Sequence, residues 1–243
     1  MSVATHKSNM KRIRRSEERG YADHGWLKSH HTFSFSGYYD PKHMGFRNLR
    51  VINEDQVEPA RGFGTHGHDN MEIISYVLAG ELEHKDSMGN GETLTPGEFQ
   101  LISAGSGITH SEFNPSNQDR VHFYQIWLEP NIRDTEPAYQ QKDFSEAEKH
   151  NHFRLVASPE GRDGSLQVKQ DAEIYLSKLA NYSTTFSLKE KRSLWVQVLS
   201  GALQIEGESL MAGDAIAFEG DQTARKIEFM TDSESEVLIF DLP

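Results

Sequence analysis

The chain has 243 residues, no cysteine and a formal net charge of -12. That length allows one large or two smaller domains with buried cores. The absence of cysteine excludes disulfides, thiol nucleophiles and thiolate metal sites, and the acidic balance argues against broad binding of a nucleic-acid backbone. No apolar run approaches a membrane span, and the first twenty residues lack the apolar core of a signal peptide. These features predict a cytoplasmic protein without membrane contact.

The first candidate feature is a basic run from Lys7 to Arg19, read as a solvated tail or edge strand rather than a nucleic-acid contact. Thr32, Ser34 and Ser36 alternate with Phe33 and Phe35, which predicts a strand ending in the turn Tyr39-Asp40-Pro41. Arg47 to Asn53, Met71 to Leu78, Glu81 to Lys85, Phe99 to Ser103 and Arg120 to Leu128 are further strand candidates, separated by glycine-rich turns. Short strands at regular spacing predict an all-β barrel or sandwich. From Glu129 to about Gly164 polar residues and prolines dominate, with a short helical turn expected at residues 145–148. Strand-like texture then resumes. The expected division is a first domain over residues 1–135, a connector over 136–164 and a second domain over 165–243.

Two stretches stand out chemically. GFGTHGHDNMEIISYVLAG carries His66 and His68 two residues apart; GEFQLISAGSGITHSEFN carries His110 and Glu112 at the same spacing. Alternate residues of a strand share a face, so each pair makes a two-toothed fork. Two forks on facing strands could close on one metal ion. Three imidazoles and a carboxylate suit Fe(II), Ni(II), Cu(II) or Mn(II) and can leave a coordination position open. His150-Asn151-His152 has the same spacing but lies in polar connector sequence, and is read as solvent-exposed.

The second half repeats the first. YVLAGELEHKD aligns with QVLSGALQIEG, matching Gly80 to Gly201, and PGEFQLISAGSGITHSEF aligns with AGDAIAFEGDQTARKIEF, matching Gly97 to Gly213. Ser187, Lys189 and Lys226 fall opposite the three histidines, and Glu228 opposite Glu112. A second barrel without metal is therefore expected, lysine at a ligand position repelling a cation.

The same stretches resemble the two motifs of the cupin superfamily, through Gly62, His66, His68, Glu72 and Gly80, and through Gly97, Gly105, His110 and Asn114. Ser103 stands where that pattern expects proline. More narrowly, HGWLKSHHTFSFSGYYDP, GFGTHGHDNMEIISYVLAGELEHKDSMGN and SAGSGITHSEFNPS resemble the pirin family of two-domain cupins, nearest to bacterial pirins with quercetin 2,3-dioxygenase activity. The resemblance implies an all-β bicupin, two antiparallel jelly-roll barrels in tandem. It implies one divalent metal in the first barrel, Fe(II) before Ni, Cu, Mn or Zn, held by His66, His68, His110 and Glu112. Glu72 is then expected to orient a ligand histidine.

The implied reaction is oxygen-dependent cleavage of a flavonol's central ring with release of carbon monoxide. Its substrate must lose the 3-hydroxyl proton, and coordinated imidazoles have no free lone pair, so Glu112 is the expected base. The alternative is a regulatory module in which the metal tunes a surface for a protein partner; a sugar-isomerising cupin is a weaker third reading. A monomer is expected. Phe33, Phe46, Phe63 and Phe99 are candidates for either a pocket wall or barrel core.

Overall fold

A computed structural model describes residues 11–243, and Lys7 of the basic run lies outside them. The regular structure of the described chain is nearly all β, arranged as two cupin barrels. In the first, a seven-stranded sheet packs against a four-stranded one. The seven-stranded sheet runs, in spatial order, through Ala138–Asp143, Glu98–Ser103, Glu72–Ala79, Val121–Leu128, Leu49–Val57, Leu27–His31 and Gly20–Asp23. The four-stranded sheet runs through Gly62–His68, Ile108–Phe113, Leu82–Asp86 and Gly91–Leu94. The second barrel is dominated by two long strands, Glu173–Leu188 and Arg225–Leu242, paired along almost their whole length.

The repeat is visible in the backbone. Gly80 and Gly201 have φ of 75° and 73°, and a Cβ on either would collide with the carbonyl oxygen of Arg120 or Glu234 respectively. Both hairpins turn on the same left-handed residue, which glycine adopts without steric penalty.

Strand alternation sorts the first barrel into two faces. Ile73, Ser75 and Val77 belong to its inner face, as do Phe123, Gln125 and Trp127. Ile74, Tyr76, Tyr124, Ile126 and Leu128 point the other way, into a core shared with Leu176, Trp195, Leu238, Phe240 and Leu242 of the second barrel. Phe33, Phe46 and Phe99 lie in this shared core, and only Phe63 of the four sequence candidates lines the cavity described below.

Several local expectations are revised. The strand expected at Thr32–Ser36 ends at His31. Ser34 Oγ accepts the Asp40 N–H at 2.8 Å and donates to the Asp40 carbonyl at 2.9 Å, so the side chain closes a loop instead of continuing a ladder. The polar segment 136–164 divides between the sheets: Ala138–Asp143 extends the first, and Arg154–Ser158 pairs with the long strand Glu173–Leu188 of the second. Glu146–Lys149 forms the expected helical turn, capped by Ser145, whose Oγ donates to Glu148 at 2.7 Å.

The described part of the basic run is the edge strand expected, not a solvated tail, and it also clasps the two barrels. Lys11–Arg14 forms the edge of the second sheet, paired with Ala215–Phe218. Arg15 meets Asp214 at 2.9 Å, while Arg19 reaches Glu54 of the first barrel at 2.7 Å. No helix among the described residues is long and apolar enough to cross a membrane.

Trp195 anchors the shared core, its ring centroid 4.9 Å from Phe33 and 5.5 Å from Phe46. Truncating a buried aromatic removes transfer energy and leaves a void. Trp195→Ala is expected to cost about 3–5 kcal/mol of unfolding free energy, read as a lowered urea midpoint with the slope unchanged.

Candidate metal centre and its cavity

The two forks do not face each other across the barrel. They lie on neighbouring strands of one sheet, Gly62–His68 paired antiparallel with Ile108–Phe113, and His66 stands directly opposite His110. Between His110 and Glu112 the register shifts, so that Ser111 spans what Gly64 and Thr65 span on the partner strand. This bulge bends the strand and re-aims its side chains. His66 Nδ1 donates to the Gly64 carbonyl at 2.8 Å, which locks the ring and leaves Nε2 with its lone pair. The ring centroids of His66 and His110 are 4.4 Å apart, and those of His68 and His110 4.9 Å.

One ring nitrogen from each of His66, His68 and His110 lies within 4.8 Å of the others. Burial, and then the neighbouring His66, pull the His68 pKa down to about 4 and that of His110 to about 3. Both are therefore neutral near pH 7, the state a metal needs. His110 Nε2 is buried with no hydrogen-bond partner. A buried orphan nitrogen is costly, and a cation shared with His66 and His68 would satisfy it. The donor set fits a borderline divalent metal.

Glu112 projects across the barrel from the same strand as His110. Its Oε1 accepts from Ser75 Oγ at 3.1 Å and its Oε2 from Gln125 Nε2 at 2.9 Å. Burial raises its pKa to about 7 against the pull of these two bonds. Ser75 and Gln125 belong to a polar row on the inner face of the seven-stranded sheet. His31, Asn53, Gln125 and Ser75 are successive cross-strand partners, and His31 Nδ1 meets Asn53 Oδ1 at 2.9 Å.

A cavity of about 670 Å³ opens over this row, with His66, His68 and Glu112 in its wall. Trp26, Phe35, Tyr38, Phe63 and Trp127 supply aromatic surface. Trp127 stands edge-on to both His68 and Phe35, at 5.0 and 5.4 Å. Such a space suits a flat aromatic ligand carrying some polar groups.

Glu72 is not where the motif led us to expect it. It lies one residue out of phase with Ser75, on the outer face. There its Oε2 accepts from Ser103 Oγ at 2.8 Å and from the Lys169 N–H at 3.0 Å, tying the first barrel to the second. The serine replacing the motif's proline is thus the partner of this glutamate. His150 and His152 are exposed, as read from their polar surroundings.

The second barrel corrects the repeat alignment. Ser187 and Lys226 are cross-strand partners, as His66 and His110 are, but Ser187, Lys189, Lys226 and Glu228 all point outward. A one-residue slip reverses every side chain of a strand. The inward positions of these strands hold Phe186, Leu188, Ile227 and Phe229, which fill an apolar core. Apolar packing, rather than lysine repulsion, occupies that interior.

Sequence reading missed His84 and Asp86. His84 is fully buried, stacked on Tyr139 with centroids 4.9 Å apart and planes 20° apart. Its Nε2 lies 3.2 Å from Asp86 Oδ2 and its Nδ1 3.5 Å from His110 Nδ1. Asp86, held by Asn90 Nδ2 at 2.8 Å and the Met88 N–H at 2.9 Å, can only accept. His84 therefore presents a lone pair to His110 Nδ1–H, which fixes the His110 tautomer with Nε2 toward the centre. The signal in the sequence was His84-Lys85-Asp86, a third two-residue fork. Partners that orient a ligand are worth about 10- to 100-fold in metal affinity. His84→Gln should weaken divalent-metal binding by about that factor in titration calorimetry, with the melting temperature of the metal-free protein little changed.

With this geometry in place, relatives are informative. Residues 12–128 match the Pirin family and residues 155–242 the quercetinase C-terminal cupin domain. The chain is 48% identical over 232 residues to a quercetin 2,3-dioxygenase of Escherichia coli strain K12, covering 95% of this chain and 98% of the relative. It is 41% identical to a putative quercetin 2,3-dioxygenase of Pasteurella multocida, covering 96% and 100%. Among solved structures, the Escherichia coli bacterial pirin YhhW in complex with nickel(II) superposes with a TM-score of 0.90 at 48% identity, covering 96% and 99%. Fold, internal repeat and sequence thus agree: the chain belongs to the pirin family.

Proposed function

We propose that the protein is a metal-dependent dioxygenase that opens the central ring of a flavonol such as quercetin with O2 and releases carbon monoxide. The observation that carries this reading is the unpartnered His110 Nε2, set beside two further histidines in the wall of an aromatic-lined cavity. The names of the Escherichia coli and Pasteurella relatives support it. His66, His68 and His110 would hold one divalent ion, and Glu112, which stands outside their 4.8 Å cluster and rests on Ser75 and Gln125, would be the fourth donor. Iron(II) is the favoured ion, and the nickel(II) complex of the Escherichia coli relative makes nickel the alternative. When bound, the metal supplies an open, Lewis-acidic position beside the cavity.

The chain's own groups do the rest. The aromatic wall binds the flat rings and excludes water. Glu112, the carboxylate nearest the histidines along the strand, takes the proton of the flavonol 3-hydroxyl. Burial sets its pKa close to the operating pH, where a base is most effective. Ser75 and Gln125 hold the carboxylate in place before and after the transfer. The resulting anion is electron-rich enough for O2 to attack.

Iron- or nickel-loaded protein should bleach quercetin with matching oxygen uptake and carbon monoxide release in air, and leave it unchanged under argon. Intact absorbance in air would reject the reading. Glu112→Gln should reduce turnover per bound metal by about 100-fold or more. A ratio of turnover to metal content equal to the parent's would leave Glu112 as a ligand only.

A further inference from the structure

The metal centre and Glu112 account for one wall of the cavity. The sheet facing them carries a second carboxyl group that the proposed reaction does not use. Asp55 lies on the inner face of the strand Leu49–Val57, directly across from Ser29 on Leu27–His31. It is 3% exposed and lines the cavity. Its Oδ1 has no hydrogen-bond partner. Neither lysine nor arginine approaches it among the cavity-lining residues. The carboxylates of Glu112 and Glu54 add to the burial that holds its pKa near 7, and Ser29 and His122 only partly oppose them.

Such a group is a liability to the fold alone. A buried carboxyl with an unanswered oxygen costs stability, and an apolar residue would suit the neighbouring Val57 and Phe123 better. Its neighbours in the polar row are answered within the chain: His31 by Asn53, and Gln125 by Glu112. Asp55 is the exception, and it lines the aromatic-walled cavity. A polar group left open inside a binding cavity is how a site selects a ligand hydroxyl, since a ligand without it leaves the group unpaired.

We propose that Asp55 recognises a hydroxyl of the aromatic substrate other than the one deprotonated by Glu112, and so determines which flavonols bind. This rests on the flavonol reading above and adds to it a specificity-determining residue. The hydroxyl pairs with Oδ2, the carboxyl oxygen not sealed within the wall, donating to the carboxylate or accepting from the acid, with no bond made or broken.

The test is binding of quercetin, and of analogues each lacking one of its hydroxyls, to the metal-loaded full-length protein under argon, followed by tryptophan fluorescence. In the parent, loss of one particular hydroxyl should weaken binding by about 10- to 100-fold. Asp55→Ala should weaken quercetin by a similar factor, yet bind the analogue lacking that hydroxyl within about twofold of the parent. Metal content should be unchanged, and the melting temperatures of Asp55→Ala and Asp55→Asn should equal or exceed the parent's. Equal weakening of every flavonol by Asp55→Ala, or a fall in melting temperature in both variants, would assign Asp55 to the fold and overturn the proposal. If the parent binds none of the flavonols, the dioxygenase reading fails and the role of Asp55 falls with it. If the parent turns quercetin over but the coupling is absent, only the role of Asp55 fails.

Discussion

The site depends on one register, the pairing of His66 with His110 across adjacent antiparallel strands. Shifted by a single residue, the same strands would turn the imidazoles to solvent. Two features hold the register. Gly62 lets the strands close at their far end, where any Cβ would run into the carbonyl oxygen of Glu112. The bulge at Gly64-Thr65 then absorbs one residue, so that His66 and Glu112 both face inward although their separations from the next paired position differ. The ring bond from His66 to Gly64 is made inside that bulge, so backbone irregularity and ligand orientation are the same feature.

A barrel interior lined with His31, Asn53, Gln125, Ser75 and Glu112 is expensive to desolvate unless each group finds a partner. His31 is answered by its cross-strand neighbour Asn53, and Ser75 and Gln125 by Glu112 from the facing sheet, so the polar layer is satisfied by side chains and the hydrogen-bonded ladder is kept. The groups left unpaired around the cavity include His110 Nε2 at the centre and, on the facing wall, Asp55 Oδ1 and Trp127 Nε1. The second barrel keeps the same strand plan and fills it with Phe186, Leu188, Ile227 and Phe229, so no such cost arises there.

The sequence carried the fold and the histidine site because both are written at fixed short spacings. Gly80 and Gly201 punctuate equivalent hairpins, and His-x-His survives as a pair on any extended strand. Relations between strands were harder to read. The forks were expected on facing strands because nothing local says that Gly62–His68 and Ile108–Phe113 are neighbours. His31, Asn53 and Asp55 escaped notice because they join Ser75, Gln125 and Glu112 only through cross-strand pairing. Glu72 was drawn toward the site by its motif, although simple alternation along Glu72–Ala79 already put it on the face opposite Ser75. The ungapped repeat did not preserve which face of the strand a residue takes, and that failure made two outward lysines look like replaced ligands.

Alternation also explains why a barrel filled with apolar side chains is kept beside the one with the site. Every strand of the seven-stranded sheet that gives its odd-numbered residues to the cavity must give its even-numbered ones to the other side. Ile52, Ile74, Tyr76, Tyr124, Ile126 and Leu128 form that other side, and all are buried. Alone, the first barrel would expose this face to water, a continuous apolar surface of the kind that soluble monomers avoid. The second barrel covers it with Leu176, Leu238, Phe240 and Leu242, and the Glu72–Lys169 bond and the Arg15 and Arg19 ion pairs fix its position. The strands carrying Ser75, Gln125 and Asp55 are thus held rigid from behind. A polar layer with little packing of its own keeps its geometry because the residues between its members are packed into a different core.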